Sequence, residues 1–282
     1  MKLSEIYAIA NAIAPKSLSD EYCAQAGAYD NSGVLVDAGE EIVGVLFSLD
    51  LSDGAIDRAI EMGANLILTH HPMIYGKIDH ARLDGDNLTE RKLVKCLKKG
   101  ISVISMHLNL DCAEDGIDES LMQGVMLSAA KTTGAGMDVT QKKPQESTAV
   151  AVMHPLSQGG YGRVYDVEET TLGALAEELK KTFSSQRIFF YGDRKRTISR
   201  AASFCGAGVD EGTLQFAKKQ GADVMISADF KHHFITGALE SGMAVIVLTH
   251  YASEEYGYKK YYEKIRRQIG IPCAYHTDEH LL

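Results

Sequence analysis

Three short apolar runs in this chain end in histidine, and two of those histidines carry a carboxylate four residues later. Asn65–Thr69 leads into His70-His71-Pro72, Ile101–Met106 into His107-Leu-Asn-Leu-Asp111, and Ala244–Thr249 into His250-Tyr-Ala-Ser-Glu254. Imidazole nitrogen and carboxylate oxygen are the donors that divalent transition metals accept. A histidine and an acid at i, i+4 share one face wherever a helical turn starts at the histidine. A lone strand-end histidine is more often a hydrogen-bonded structural residue than a ligand, so the weight rests on recurrence. The four imidazoles and two carboxylates are too many for one tetrahedral zinc and suit two ions with open positions. His70-His71 is expected to put one imidazole on each side of a local axis, and a carboxylate can bridge two cations.

Each run is β-branched and opened by a glycine (Gly63, Gly100, Gly242), the pattern of a short buried strand. Helical patterns between several of them predict parallel strands, whose C-terminal ends reach one edge of a sheet. Ahead of the first run the pattern predicts a helix over 2–14 closed by Pro15, a strand over 41–49, and a helix from Asp53 to Met62. A polar loop (76–88), a helix over 89–99 and another over 117–131 complete a first lobe, and Gly134-Ala-Gly136 marks a break. The expected fold is α/β, with two similar lobes, 1–135 and 136–282, carrying mixed, largely parallel sheets that face a shared metal cleft. The second lobe includes a middle segment, 145–200, with a glycine turn at Gly159–Gly162, a helix over Leu172–Phe183 and strands over 187–191 and 201–205.

The lobes look like repeats. Gly63–His71 aligns without gaps on Gly221–Asp229, and Gly100–Asp111 corresponds to Gly242–Glu254 with a one-residue slip. Gly206-Ala207-Gly208 reads as a strand-to-helix turn, because no G-x-G-x-x-G follows a strand and opens a helix. His154 lacks an acid four residues on, and His80, His276 and His280 lack partner spacing, so these four are not taken as ligands.

Composition narrows the rest. With 45% apolar and 24% charged residues over 282 positions, the chain reads as a soluble cytosolic globular protein of about two lobes. No apolar stretch approaches the ~20 residues of a membrane span. Five scattered cysteines without a Cys-x-x-Cys fit reduced thiols and exclude a thiolate zinc site. The formal charge of −9 argues against nucleic acid as a general partner.

Several motifs occur in a specific order: Tyr29-Asp30-Asn31-Ser32-Gly33, Thr69-His70-His71-Pro72, His107-Leu-Asn109-Leu-Asp111, Gly160-Tyr-Gly162-Arg163, Asp229-Phe-Lys-His-His233 and His250-Tyr-Ala-Ser-Glu254. Over nearly its whole length the chain thereby resembles the GTP cyclohydrolase 1 type 2 homologues, also called Nif-three-like dinuclear-metal proteins. The resemblance implies a toroidal homohexamer of two-lobed α/β subunits with two divalent ions per subunit. It implies His70, His71, Asp111, His250 and Glu254 as ligands, with Glu254 bridging, and His107 as a further ligand or as a residue just behind the ligands. Asp229 and His233, at the pseudo-equivalent of the double histidine, are expected either to orient a ligand or touch substrate or simply to cap a loop. The family usually opens Trp-Asp-Asn and has Thr-Gly-Asp before the later histidine. This chain has Tyr29 and Ser227-Ala228-Asp229, which bears on substrate contacts and leaves the metal positions unaltered.

The chemistry expected of such a centre is hydrolysis by a metal-bound hydroxide, on a nucleotide or similar small molecule. Zn, Mn, Fe, Co and Ni all accept this ligand set. The competing class is a non-catalytic metal-binding regulatory or protein-interaction protein. A phosphoesterase of the Asp-His-His type is disfavoured, since residue 69 is Thr and no early Asp-x-Asp precedes it.

Overall fold

The structure, a computed structural model, describes residues 1–76, 87–134 and 149–282. In chain order its elements begin with α1 (Leu3–Ile13), α2 (Lys16–Ala26), β1 (Gly33–Val36), β2 (Val45–Ser48) and α3 (Asp53–Glu61). Then come β3 (Leu66–Thr69), α4 (Leu88–Lys98), β4 (Ser102–Ser105), α5 (Leu108–Cys112) and α6 (Ile117–Thr132). β5 (Ala149–Pro155), β6 (Gly160–Thr171), α7 (Leu172–Thr182), β7 (Phe189–Tyr191) and β8 (Thr197–Ser203) follow. The last are α8 (Glu211–Lys219), β9 (Val224–Ser227), α9 (His232–Glu240), β10 (Ala244–Val247), α10 (His250–Arg266) and β11 (Cys273–His276). Two compact units result: Met1–Ala113 with Tyr258–Asp278, and Glu114–Gly257 with Glu279–Leu282.

In the first unit the sheet order is β1-β4-β3-β2-β11, parallel throughout except for β1, which runs antiparallel to β4. Every residue of β2, β3 and β4 is buried, as expected of parallel strands covered on both faces. Ser48, Thr69 and Ser105 pair in one line across the sheet, so the residues after them emerge at a common edge. Between the strands, α3 starts at Ser52, whose hydroxyl accepts from Ala55 N at 3.0 Å. Its apolar face, Ala55, Ile56 and Ala59, packs with Leu46, Ile67 and Val103.

In the second unit the order is β5-β6-β8-β9-β10-β7. β8, β9 and β10 are parallel, while the β5–β6, β6–β8 and β7–β10 pairs are antiparallel, so this sheet is mixed. The segments β1-β2-α3-β3-α4-β4 and β7-β8-α8-β9-α9-β10 share connectivity, strand order and an antiparallel edge strand. The repeat visible around Gly63 and Gly221 therefore extends across three helix-linked parallel strands in each unit. To these the second unit adds the β5–β6 hairpin.

The elements differ from the sequence pattern in a few places. Pro15 stops α1 but also sits at the N-cap of α2, a helix of low amphipathic contrast that periodicity does not mark. β1 and β11, each only 4 residues long, are likewise absent from the sequence pattern. The turn expected at Gly159–Gly162 is shorter, since Gly160 and Gly162 already belong to β6 with φ of 144° and 73°. His80, most of the polar loop and Gly136 lie outside the described residues. Among the described residues no helix is long and apolar enough to cross a membrane.

Candidate metal centre

In the first unit, the double histidine forms where β3 runs out. The N–H groups of His70 and His71 both donate to Leu49 O, at 3.1 and 2.9 Å, which ends the regular alternation of the strand. The two rings consequently lie 4.7 Å apart instead of on opposite faces. Thr69 Oγ1 donates to His71 O at 2.9 Å and Ser105 Oγ to His70 O at 2.7 Å, fixing the peptide units that carry the rings. His107 follows β4 as the N-cap of α5, with its ring 5.2 Å from that of His70 and 5.7 Å from that of His71. One ligand atom from each of His70, His71 and His107 lies within 4.8 Å of the others, a group that could hold a metal ion. Asp111, in the single turn of α5, puts Oδ1 3.5 Å from His70 Nε2, so it serves the first histidine of the pair.

The Nδ1 atoms identify the atoms left to bind. His70 Nδ1 lies 2.8 Å from Met106 O; a carbonyl only accepts, so the proton is on Nδ1 and Nε2 is the atom that could ligate. His71 Nδ1 donates to Asp50 Oδ1 at 2.9 Å and His107 Nδ1 to Asp30 Oδ1 at 2.8 Å, which fixes the same tautomer. Asp30 is itself held by Ser19 Oγ at 2.6 Å and Ser32 Oγ at 2.5 Å, while Ser32 Oγ accepts the His107 N–H at 3.0 Å. Burial would raise the Asp30 carboxyl, but hydrogen bonds from His107, Ser19 and Ser32, with the charge of His107, outweigh it and hold the group far below the carboxylate range.

A depressed carboxylate stabilises the fold above its unfolded pKa of about 3.9, and the contribution is lost as pH falls through the lower folded value. Asp30→Asn in metal-free protein should therefore melt earlier at neutral pH and converge with the parent near the acid limit. Zinc affinity should drop about 10-fold, the usual size for removing a carboxylate behind a ligating histidine. Melting curves across pH and a chelator competition check both. Identical pH dependence in the two proteins would show that Asp30 carries no such charge.

In the second unit, α10 begins at His250, so the His-x-x-x-Glu spacing falls on one helical face, with His250 Nε2 3.1 Å from Glu254 Oε1. His250 Nδ1 donates to Asp229 Oδ2 at 2.6 Å. Asp229 follows β9 at a positive φ of 47°, an uncommon backbone conformation that Asp tolerates better than most residues. Asp229 thus orients the His250 ring. His233 is exposed in the first turn of α9.

Gly206, three residues past β8, adopts φ +57°, and a Cβ there would collide with Glu254 Oε1 and lie 3.4 Å from His250 Nε2. The other histidines are placed elsewhere: His154 in β5, His276 at the end of β11 beside Gly54, and His280 with its carbonyl accepting from Arg187 at 2.6 Å.

Sequence spacing does not single out Asp50, Gly206 or the role of Asp30. The only signals in the chain are the Asp30-Asn-Ser32 motif and the position of Asp50 two residues past β2, on the edge shared with His70 and His107. Within each unit the donors suit a divalent cation of borderline hardness, with imidazoles oriented through Nδ1 and a carboxylate adjacent.

With this geometry in view, the sequence matches the family model for Duf34/NIF3 (NGG1p interacting factor 3) over residues 1–277. A Clostridium perfringens protein named GTP cyclohydrolase 1 type 2 homolog is 31% identical over 271 residues, covering 95% of this chain and 93% of that protein. Its namesake from Clostridium acetobutylicum is 29% identical over 256 residues, covering 90% and 85%. A solved Staphylococcus aureus structure, 24% identical, superposes with a TM-score of 0.76 over 98% of this chain and 96% of its own, a likeness of fold. The chain belongs to the Duf34/NIF3 family.

Proposed function

We propose that this chain is a dinuclear, divalent-metal-dependent hydrolase acting on a nucleotide or similar small molecule. His70, His71, His107, Asp111, His250 and Glu254 are the residues that would hold the ions. The observation that carries this reading is the fixed tautomer: four histidines each have Nδ1 engaged with an oxygen acceptor, which leaves Nε2 to ligate. The arrangement recurs where three strands, β3, β4 and β10, run out.

Divalent ions held by such donors lower the pKa of water toward ~7 and polarise a carbonyl or phosphoryl oxygen. The protein's own share is orientation. Asp30, Asp50 and Asp229 orient three rings, and Met106 O orients the fourth. His233, four residues after Asp229 and exposed, is the group we assign to moving a proton to or from substrate. The curated relatives' name suggests a nucleotide such as GTP as the substrate class. Assembly as a homohexamer in the cytosol belongs to the same proposal and rests on family membership.

The test is turnover of GTP and of generic phosphodiesters with Zn, Mn or Fe(II), in parent and Glu254→Ala proteins. Loss of at least 100-fold in the variant is expected, the scale on which removal of one electrostatic stabiliser acts. Equal rates in the two proteins would leave a non-catalytic metal-binding protein.

A further inference from the structure

Behind His250 and Glu254 the second unit contains a buried ion pair that the ligand set does not use. Asp118, in the first turn of α6, and Arg163, in β6, have side chains only 0% and 4% exposed, and the Arg163 guanidinium donates directly to Asp118 Oδ2. The same carboxylate accepts the Gly162 N–H at 3.0 Å through Oδ2 and the Cys205 N–H at 3.2 Å through Oδ1. Arg163 also reaches Glu119 at 3.7 Å. A buried pair of this kind is weak ground for stability, because desolvation of both ions opposes their attraction. Its position suggests another use.

The Asp118–Cys205 bond is one of several that pin one turn, whose Gly206 O also accepts from Ala228 N and Ser227 Oγ, both at 3.3 Å. Tyr161 OH donates to Cys205 O at 2.7 Å, and the Gly206 N–H donates to Ser253 Oγ at 3.2 Å. Ser253 Oγ in turn donates to His250 O at 2.7 Å. The Cys205-Gly206 turn is thus fastened to the ion pair through Cys205 and, through Gly206, to the first turn of α10 and the end of β9. Its Gly206 Cα is the wall against which Glu254 Oε1 and His250 Nε2 lie, since any Cβ there would enter their space. Gly208 extends the fit, because a Cβ at that position would collide with the Tyr161 hydroxyl.

We infer that Asp118 and Arg163 are positioning residues for the metal centre: the pair fixes the Cys205-Gly206 turn, and the turn sets where the Glu254 carboxylate and the His250 imidazole stand. This inference rests on the metal-binding reading above and deepens it. The Gly160-Tyr-Gly162-Arg163 motif thereby gains a role that is neither ligand nor substrate contact.

The test uses the full chain with Co(II) alone, read by its visible d–d spectrum and by titration. Asp118→Asn with Arg163→Met removes both charges together at similar volume, avoiding the orphaned ion that a single change would leave buried. The double variant should melt close to the parent without metal, yet bind Co(II) at least 10-fold more weakly with an altered spectrum. Tyr161→Phe, which deletes the bond to Cys205 O, provides the second variant if the first fails to fold. It should shift the spectrum in the same sense, with a smaller loss of affinity. Parent-like Co(II) affinity and spectrum in the folded double variant, or in Tyr161→Phe where the double variant does not fold, would reduce the pair to a purely structural role. Absence of Co(II) binding by the parent would instead overturn the metal-centre reading itself, and this inference with it.

Discussion

His70→Ala should take the bound metal from about two ions per chain to less than one. His70 is wholly buried, 4.7 Å from the His71 ring and 5.2 Å from His107, with Asp111 Oδ1 3.5 Å from its Nε2. Its removal breaks the three-imidazole group and takes away the imidazole nitrogen 3.5 Å from Asp111 Oδ1. Stability should also suffer, by about 2–3 kcal/mol, from the cavity and the lost bond to Met106 O. Elemental analysis on folded protein, paired with thermal melting of chelated protein, separates the two effects. A variant that melts early but retains its full metal complement would remove His70 from the ligand set.

Gly206→Ala should be nearly as damaging for a different reason. At φ +57° an alanine costs about 1 kcal/mol of backbone strain, and its methyl would occupy the space of Glu254 Oε1. Gly221 offers a matched control, since it has φ +71° and no atom within 4 Å of where a Cβ would stand. Gly221→Ala should therefore lose a similar amount of stability while binding metal normally. Gly206→Ala should show the same strain together with a loss of metal affinity of at least about 10-fold, as for a displaced ligand support. Equal affinities in the two variants, by Zn competition, would mean that Gly206 does not define where Glu254 stands.

What can be read from the chain and what cannot divides along physical lines. β3, β4 and β10 announce themselves because strands buried on both faces are continuous apolar runs, and the glycines before them mark where helices end. His250–Glu254 is legible because helical spacing is local: if a helix starts at His250, the pair must meet. β1 and β11 are not legible, being 4-residue edge strands whose pairing is decided by distant partners. Two of the carboxylates that orient the imidazoles, Asp50 and Asp30, escape for the same reason. Asp50 lies 21 positions from His71 and Asp30 lies 77 from His107, separations at which no periodicity connects them. Asp118, Arg163 and Cys205 come together only when α6, β6 and the turn after β8 are packed.

The most direct measurement is anomalous diffraction from crystals grown with excess Mn(II). The account predicts about two strong peaks per chain within bonding distance of the Nε2 atoms of His70, His71 and His250 and the carboxylate of Glu254. Well-ordered side chains at those positions with no anomalous density beside them would contradict it.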